Sequence, residues 1–274
     1  MNIIKLITLA LSAVILVSIS AFAEDRKINP GWSVSIGTGG VYAPAFLGSK
    51  SYQLSVFPEL SIKYKNHFFA SMKDGIGYNI INSSGWQIGP VAKYVFERKE
   101  NGDNPFRVIG PKSNALRGLG NVDGTVELGG FVKYILEPFT YKIELRQGVN
   151  GHKGMIGEIS ISYGGTITQF GPPIIYSFGP RAAVASSDYN NAYFGINQTQ
   201  STRSGLDRYN ADSGIVSYGI GGFALFPFTD SISFSMFAGY NRLSNEVSNS
   251  PLVVQLGSEN QSVSGLIISY KFDF

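Results

Sequence analysis

The chain closes on thirteen residues, Ser262 to Phe274, in which apolar and aromatic side chains recur at Leu266, Ile268, Tyr270, Phe272 and Phe274. The positions between them include Gly265, Ser269, Lys271 and Asp273. Successive side chains of an extended strand point to opposite faces, so this stretch has one greasy face ending in aromatics and one small or charged face. An edge strand of a soluble protein carries that pattern. So does the closing strand of a bacterial outer-membrane barrel, whose outward face meets lipid and whose terminal aromatics form part of a girdle. On the second reading Tyr270, Phe272 and Phe274 are a membrane-assembly signal, addressed to outer-membrane lipid and the barrel-assembly machinery.

The same alternation recurs upstream. From Trp32 onward, alternating segments are separated by turn residues such as Lys65-Asn66, Asn82-Ser83-Ser84-Gly85, Glu137-Pro138 and Thr229-Asp230. Val126, Leu128, Val132, Tyr134 and Leu136 face one way, with Glu127 and Lys133 opposite; Phe139, Tyr141, Ile143 and Leu145 repeat this against Lys142, Glu144 and Arg146. Met155, Ile159, Ile161 and Tyr163 oppose Glu158, and Ile174, Tyr176, Phe178, Ala182 and Val184 oppose Arg181. In a β-sandwich the apolar sides would meet and the charged sides would face water, which is the alternative. A barrel accommodates the pattern directly, with lipid outside and a polar lumen. Phe68 to Ile80 reads as one strand, although Asp74 interrupts its apolar face; either the register slips there or the acid lies near an interface.

Eleven strands are clear, and Tyr189 to Asn197 reads as a short twelfth. Single-chain bacterial barrels have even strand numbers, so the expected fold is an all-β transmembrane antiparallel barrel of twelve strands, with ten as the alternative. Residues 98–124 form the longest irregular stretch and are a candidate contact loop. Counted forward from a periplasmic N-terminus, that loop falls in the periplasm and the short turns outside, against the usual short-periplasmic-turn rule. An extracellular loop would require one strand before it to be miscounted.

The N-terminal end agrees with export. Lys5 precedes an apolar run from Leu6 to Ile19 and then Ala21-Phe22-Ala23, so residues 1–23 read as a signal peptide cleaved before Glu24, leaving 24–274 as one barrel domain. The chain has no Cys, which excludes a lipoprotein or a disulfide scaffold. Charged residues make up 15% of the chain, against about 25% in soluble domains. Removing the leader leaves 22 − 1 = 21 basic and 19 acidic residues, a balance that argues against a nucleic-acid partner.

Little in the sequence reads as catalytic. An acyl hydrolase in the barrel wall would pair Ser with His, and the two histidines, His67 and His152, both lie in or beside turns. Ser160 follows His152 by eight residues, roughly 26 Å along one strand, too far for proton transfer. Two isolated histidines without Cys make no zinc site, so neither enzyme activity nor a metal or cofactor is expected. The inward charges are more informative. Lys133, Lys142, Arg146 and Arg181 face Glu127, Glu144 and Glu158 across neighbouring strands, spaced to pair and fill a lumen. The near balance of sign favours structural bracing over a substrate pathway, and a narrow or closed barrel over an open porin.

Several phrases resemble the MipA/OmpV family of outer-membrane proteins. They are Leu116-Arg117-Gly118-Leu119-Gly120-Asn121-Val122-Asp123 leading into Thr125-Val126-Glu127-Leu128-Gly129, Gly151-His152-Lys153-Gly154, Gly179-Pro180-Arg181, Tyr193-Phe194-Gly195-Ile196, Ser250-Pro251-Leu252-Val253 and the closing strand. They occur in order across nearly the whole mature chain. Phe46-Leu47-Gly48-Ser49 and Ser186-Ser187-Asp188 depart from the family pattern by having fewer acids. The resemblance implies an outer-membrane barrel and, as in the family's namesake, a scaffold joining a lytic transglycosylase to a bifunctional penicillin-binding protein. A narrow channel, an adhesin-like protein and an outer-membrane lipid hydrolase are the alternatives, because a fold hosts many functions.

Overall fold

A computed structural model describes residues 31–169 and 171–274; the expected signal peptide lies outside these residues. The strands are β1 (Trp32–Pro44), β2 (Tyr52–Tyr64), β3 (Phe68–Ser71), β4 (Gly75–Tyr78), β5 (Ile81–Ser83), β6 (Trp86–Val95), β7 (Arg107–Ile109), β8 (Thr125–Leu136), β9 (Phe139–Gly148), β10 (Met155–Ile167), β11 (Ile174–Ala185), β12 (Gly214–Pro227), β13 (Ile232–Leu243) and β14 (Asn260–Asp273). Each pairs antiparallel with its neighbours, and β14 pairs with β1 to close the sheet. β4 and β5 are two pieces of one wall strand along β6, and β7 is a short ladder inside the long loop, so the wall has 14 − 2 = 12 strands.

The barrel inverts the soluble pattern, as lipid outside and charge inside require. Leu128, Ile143, Ile159, Phe178, Ile220 and Leu266 are exposed, while Glu127 and Glu144 are each 1% exposed. The hydrophobic core of the ordinary kind sits above the barrel, in a cap built from the loops. One cluster gathers Phe194, Val216, Leu243, Val247 and Val253, and a second gathers Phe46, Leu116, Leu119, Ile196 and Leu252.

Two strand assignments from the sequence are corrected, and their errors cancel in the count. Phe68 to Ile80 is not one strand: β3 and β4 form a tight hairpin that turns at Met72-Lys73-Asp74. Asp74 breaks the alternation because it belongs to that turn, where its N–H donates to Ser71 Oγ at 2.9 Å. Tyr189 to Asn197 is not a strand but lies mostly in the helix α1 (Ser187–Phe194), followed by α2 (Gln198–Ser204). Asn190, Tyr193 and Phe194 are buried together, as an i, i+3, i+4 face requires and a strand forbids for adjacent residues. Asn197 and Gln200 close α2's start with a reciprocal capping box. Two more short helices, α3 (Asn245–Ser248) and α4 (Pro251–Leu256), complete the cap.

The hairpin also settles the orientation. Residues 98–124 now lie at the end opposite Trp32 and Phe274, together with residues 186–213 and 244–259. The turns at the end bearing Trp32 and Phe274, such as 65–67, 84–85 and 137–138, are short. By the short-turn rule that end is periplasmic and the cap is extracellular.

Candidate functional site

Just beneath the cap, inward residues of β6, β8, β9 and β10 meet in a layer of charge. Strand parity aims Lys93, Glu127, Lys142, Glu144, Arg146 and Glu158 at the lumen, and register brings them level: Lys93 lies opposite Glu127, and Glu144 opposite Glu158. Arg146 is the hub. Its Nε donates to Glu127 Oε2 at 2.7 Å, Nη1 to Glu144, and Nη2 to Glu158 Oε1 at 3.1 Å. Glu144 also accepts from Lys93 Nζ at 2.6 Å and Lys142 Nζ at 2.8 Å. Three cations thus meet three carboxylates, so the layer needs no counterion.

The layer is tied to the cap through His152, which is 3% exposed. The Gly154 N–H donates to Nδ1 at 3.1 Å, which places the imidazole proton on Nε2, donating to Glu127 Oε1 at 2.9 Å. Gly148 leaves room for the ring, since a Cβ there would come within 2.5 Å of His152 Cε1. The outer faces of the imidazole meet Tyr189 and Tyr193 of α1, with ring centroids 4.9 and 5.9 Å away. Both ring nitrogens are engaged, so His152 as placed has no lone pair to take a proton from a serine. The arrangement can brace and seal.

Arg98 locks the long loop to the same helix. Its guanidinium donates to the Tyr193 and Ala192 carbonyls at the end of α1 and lies over the Tyr193 ring at 5.6 Å. Burial pushes its pKa down to about 10, still charged at neutral pH, and burial raises those of Tyr189 and Tyr193. A cation at a helix C-terminus is favourable, and its removal strands one buried and one half-buried carbonyl. Arg98→Ala is therefore expected to cost the cap about 2 kcal/mol. Limited proteolysis should then cut within residues 98–124 while the detergent-refolded barrel stays intact.

Of the residues picked out by inward parity, Glu127, Lys142, Glu144, Arg146 and Glu158 come together. Arg181 lies apart from Arg146's hydrogen bonds and donates through Nε to Asn241 Oδ1 at 2.8 Å. Lys133 is buried opposite Lys142 in register and borders a cavity below the layer. Tyr270, Phe272 and Phe274 form an exposed file of rings at the periplasmic end, with centroids 4.7 and 6.4 Å apart. Lys93 and His152 are additions. Lys93 was legible as an inward residue of β6; His152 was not, because residues 149–154 have no strand parity.

Below the layer the lumen opens into a cavity of about 460 Å³ toward the periplasmic end. Phe57, Phe69, Phe131 and Phe237 line it together with Lys63 and Lys73.

The chain matches the family model described as MltA-interacting protein MipA over residues 36–272. It is similar to the MltA-interacting protein of Escherichia coli (strain K12), 28% identical over 275 residues, covering 98% of this chain and 99% of that one. It also resembles the outer membrane protein OmpV of Vibrio cholerae, 27% identical, with 58% of this chain and 59% of the relative aligned. Among solved structures, the NanC porin aligns with a TM-score of 0.41 at 8% identity, covering 86% of this chain and 100% of that one. These relatives are named as interaction or outer-membrane proteins.

Proposed function

This chain belongs to the MltA-interacting protein MipA family of outer-membrane β-barrel proteins, and we propose that it is an anchor that holds murein enzymes at the outer membrane. The enzymes in question are a lytic transglycosylase and, through it, a bifunctional penicillin-binding protein. The observation that carries this reading is the ion-pair layer inside the lumen. A barrel whose interior is occupied by an ion-pair layer, beneath loops packed around two apolar clusters, is built for rigidity rather than passage. The relative aligned over nearly its full length is named for an interaction, which agrees.

The orientation moves the contact surface. Residues 98–124 belong to the extracellular cap, where Leu116, Leu119 and Val122 are buried, so an enzyme in the periplasm would meet the short turns and the cavity mouth instead. Affinity capture of the full-length chain from crosslinked, solubilised envelopes tests this. A lytic transglycosylase should be recovered, with crosslinks to the turn at Lys65 and Asn66 and none to residues 98–124. Recovery of barrel-assembly proteins without any murein enzyme would refute the anchor.

A further inference from the structure

The barrel wall is interrupted beside β2. β3 and β4 have four residues each, against thirteen in β2 and ten in β6. β3 pairs with β2 only from Ser61 to Tyr64. Higher on the same edge, β7 pairs at Leu54 and Ser55, and Val56 N–H donates to the Phe106 carbonyl at 2.9 Å. Between Val56 and Ser61 that edge has no ladder partner among the described residues. Alternate residues of an antiparallel strand address the same neighbour, so position 58 points the way Val56 does, into the gap. That position is Pro58, which has no N–H to leave unpaired. Within a bilayer an orphaned N–H would cost several kcal/mol, roughly, so proline removes that cost at position 58, one of the two positions, with Leu60, that address the gap.

The gap communicates with the cavity. Phe57, Glu59 and Ser61 line the cavity from the lumen side, and so does Pro58, which shares the lipid-facing parity of exposed Val56 and Leu60. Met72, Lys73 and Asp74 of the hairpin turn form the lower border, and Phe106, 4.9 Å from the Phe57 ring, forms the upper one. The cavity walls combine phenyl rings with six lysines, of which Lys142 pairs with Glu144 and Lys271 with Asp273; the other four face Glu59, Asp74 and Asp230, a balance of 4 − 3 = +1. Neither Lys63 nor Lys73 is within 4 Å of a carboxylate oxygen among the described residues, although Asp74 and Glu59 lie near enough to Lys73 to act on its charge. Its volume of about 460 Å³ falls among ordinary small-molecule sites, about 300–1,000 Å³.

We propose that this gap is a lateral entrance through which a single-chain anionic amphiphile from the membrane enters the lumen. Its acyl chain lies against Phe57, Phe69 and Phe131, and its carboxylate or phosphate head lies between Lys63 and Lys73. The two readings use different openings of one cavity: the amphiphile comes through the wall from the bilayer, whereas the enzyme contact lies on the periplasmic turns, where Lys65 and Asn66 border the same cavity.

Fluorescence quenching tests it. With Trp32 and Trp86, the two native tryptophans, replaced by Phe, Phe57→Trp becomes a single reporter in the full chain refolded into unbrominated bilayers. Adding a fatty acid brominated at mid-chain should quench the reporter saturably, and unbrominated fatty acid should compete. A brominated lysophosphatidate arm distinguishes a phosphate head from a carboxylate; saturable quenching by either supports the entrance. Lys73→Gln should weaken the apparent affinity about tenfold, the worth of one charge-assisted hydrogen bond. Should Phe57→Trp fail to refold, Phe237→Trp reads the same cavity. Unsaturable quenching, equal for brominated phosphatidylcholine and the anions, is annular contact alone and overturns the proposal, as does absence of quenching.

Discussion

Arg146→Ala is expected to be the most damaging single substitution in the barrel interior. The side chain holds three carboxylates at once, and Glu127, Glu144 and Arg146 are each at most 5% exposed. Truncation leaves Lys93 and Lys142 to balance Glu127, Glu144 and Glu158, one negative charge in excess. Breaking a desolvated pair by removing one partner costs about 3–5 kcal/mol, because the remaining charge stays buried without compensation. Glu158 is 31% exposed, so water recovers part of that cost on one side of the layer. The unfolding midpoint of the refolded barrel in urea should fall accordingly, and its compact, heat-modifiable migration should be lost at a lower temperature. Arg146→Lys retains the charge but not the three-way fork, so it should recover only part of the loss. A variant as stable as the parent would show that the layer does not brace the wall.

Deleting Phe274 is expected to act on assembly more than on the finished barrel. Trp32 and Phe274 exchange the last ladder hydrogen bonds of the closing seam, at 3.1 and 2.8 Å, and together these are worth about 1–3 kcal/mol. The Phe274 ring is 78% exposed and stacks at the end of the file formed with Tyr270 and Phe272. A side chain so little packed is expected to act through the membrane interface and through recognition of the nascent strand by the insertion machinery. The outer-membrane yield of the deleted chain should drop severely, while whatever fraction inserts loses no more stability than those two seam hydrogen bonds supply. Equal yields would remove the terminal aromatic from any role in assembly.

How much of this was written in the sequence depends on which physical constraint acted at each place. Strands β8 to β11 were legible because lipid and lumen impose opposite demands on alternate residues, as Leu128 beside Glu127 and Ile143 beside Glu144 show. The charge layer followed from the same parity. The β3–β4 hairpin was hidden because its two arms run on with one apparent period, and Asp74 was its single sign. Helix α1 was mistaken for a strand although Ser186 and Asp188 are helix-start residues, and adjacent Tyr193 and Phe194 could not both face a core from one strand. Arg98 and His152 had no legible role, because loops fix their side chains by tertiary packing rather than by a repeating pattern. The lateral gap was invisible for a related reason: Pro58 fits the outward face of β2 as an edge residue, and only the pairing of β3 and β7 shows where the edge lies open.

The central claim is that the ion-pair layer and the packed cap close this barrel, leaving it an anchor rather than a channel. Single-channel recording of the purified full-length chain in planar bilayers tests that most directly. The parent should show no resolved unit conductance, and Arg146→Ala, where it still inserts, should show intermittent openings as the layer loosens. Stable, reproducible conductance steps from the parent chain would contradict the account.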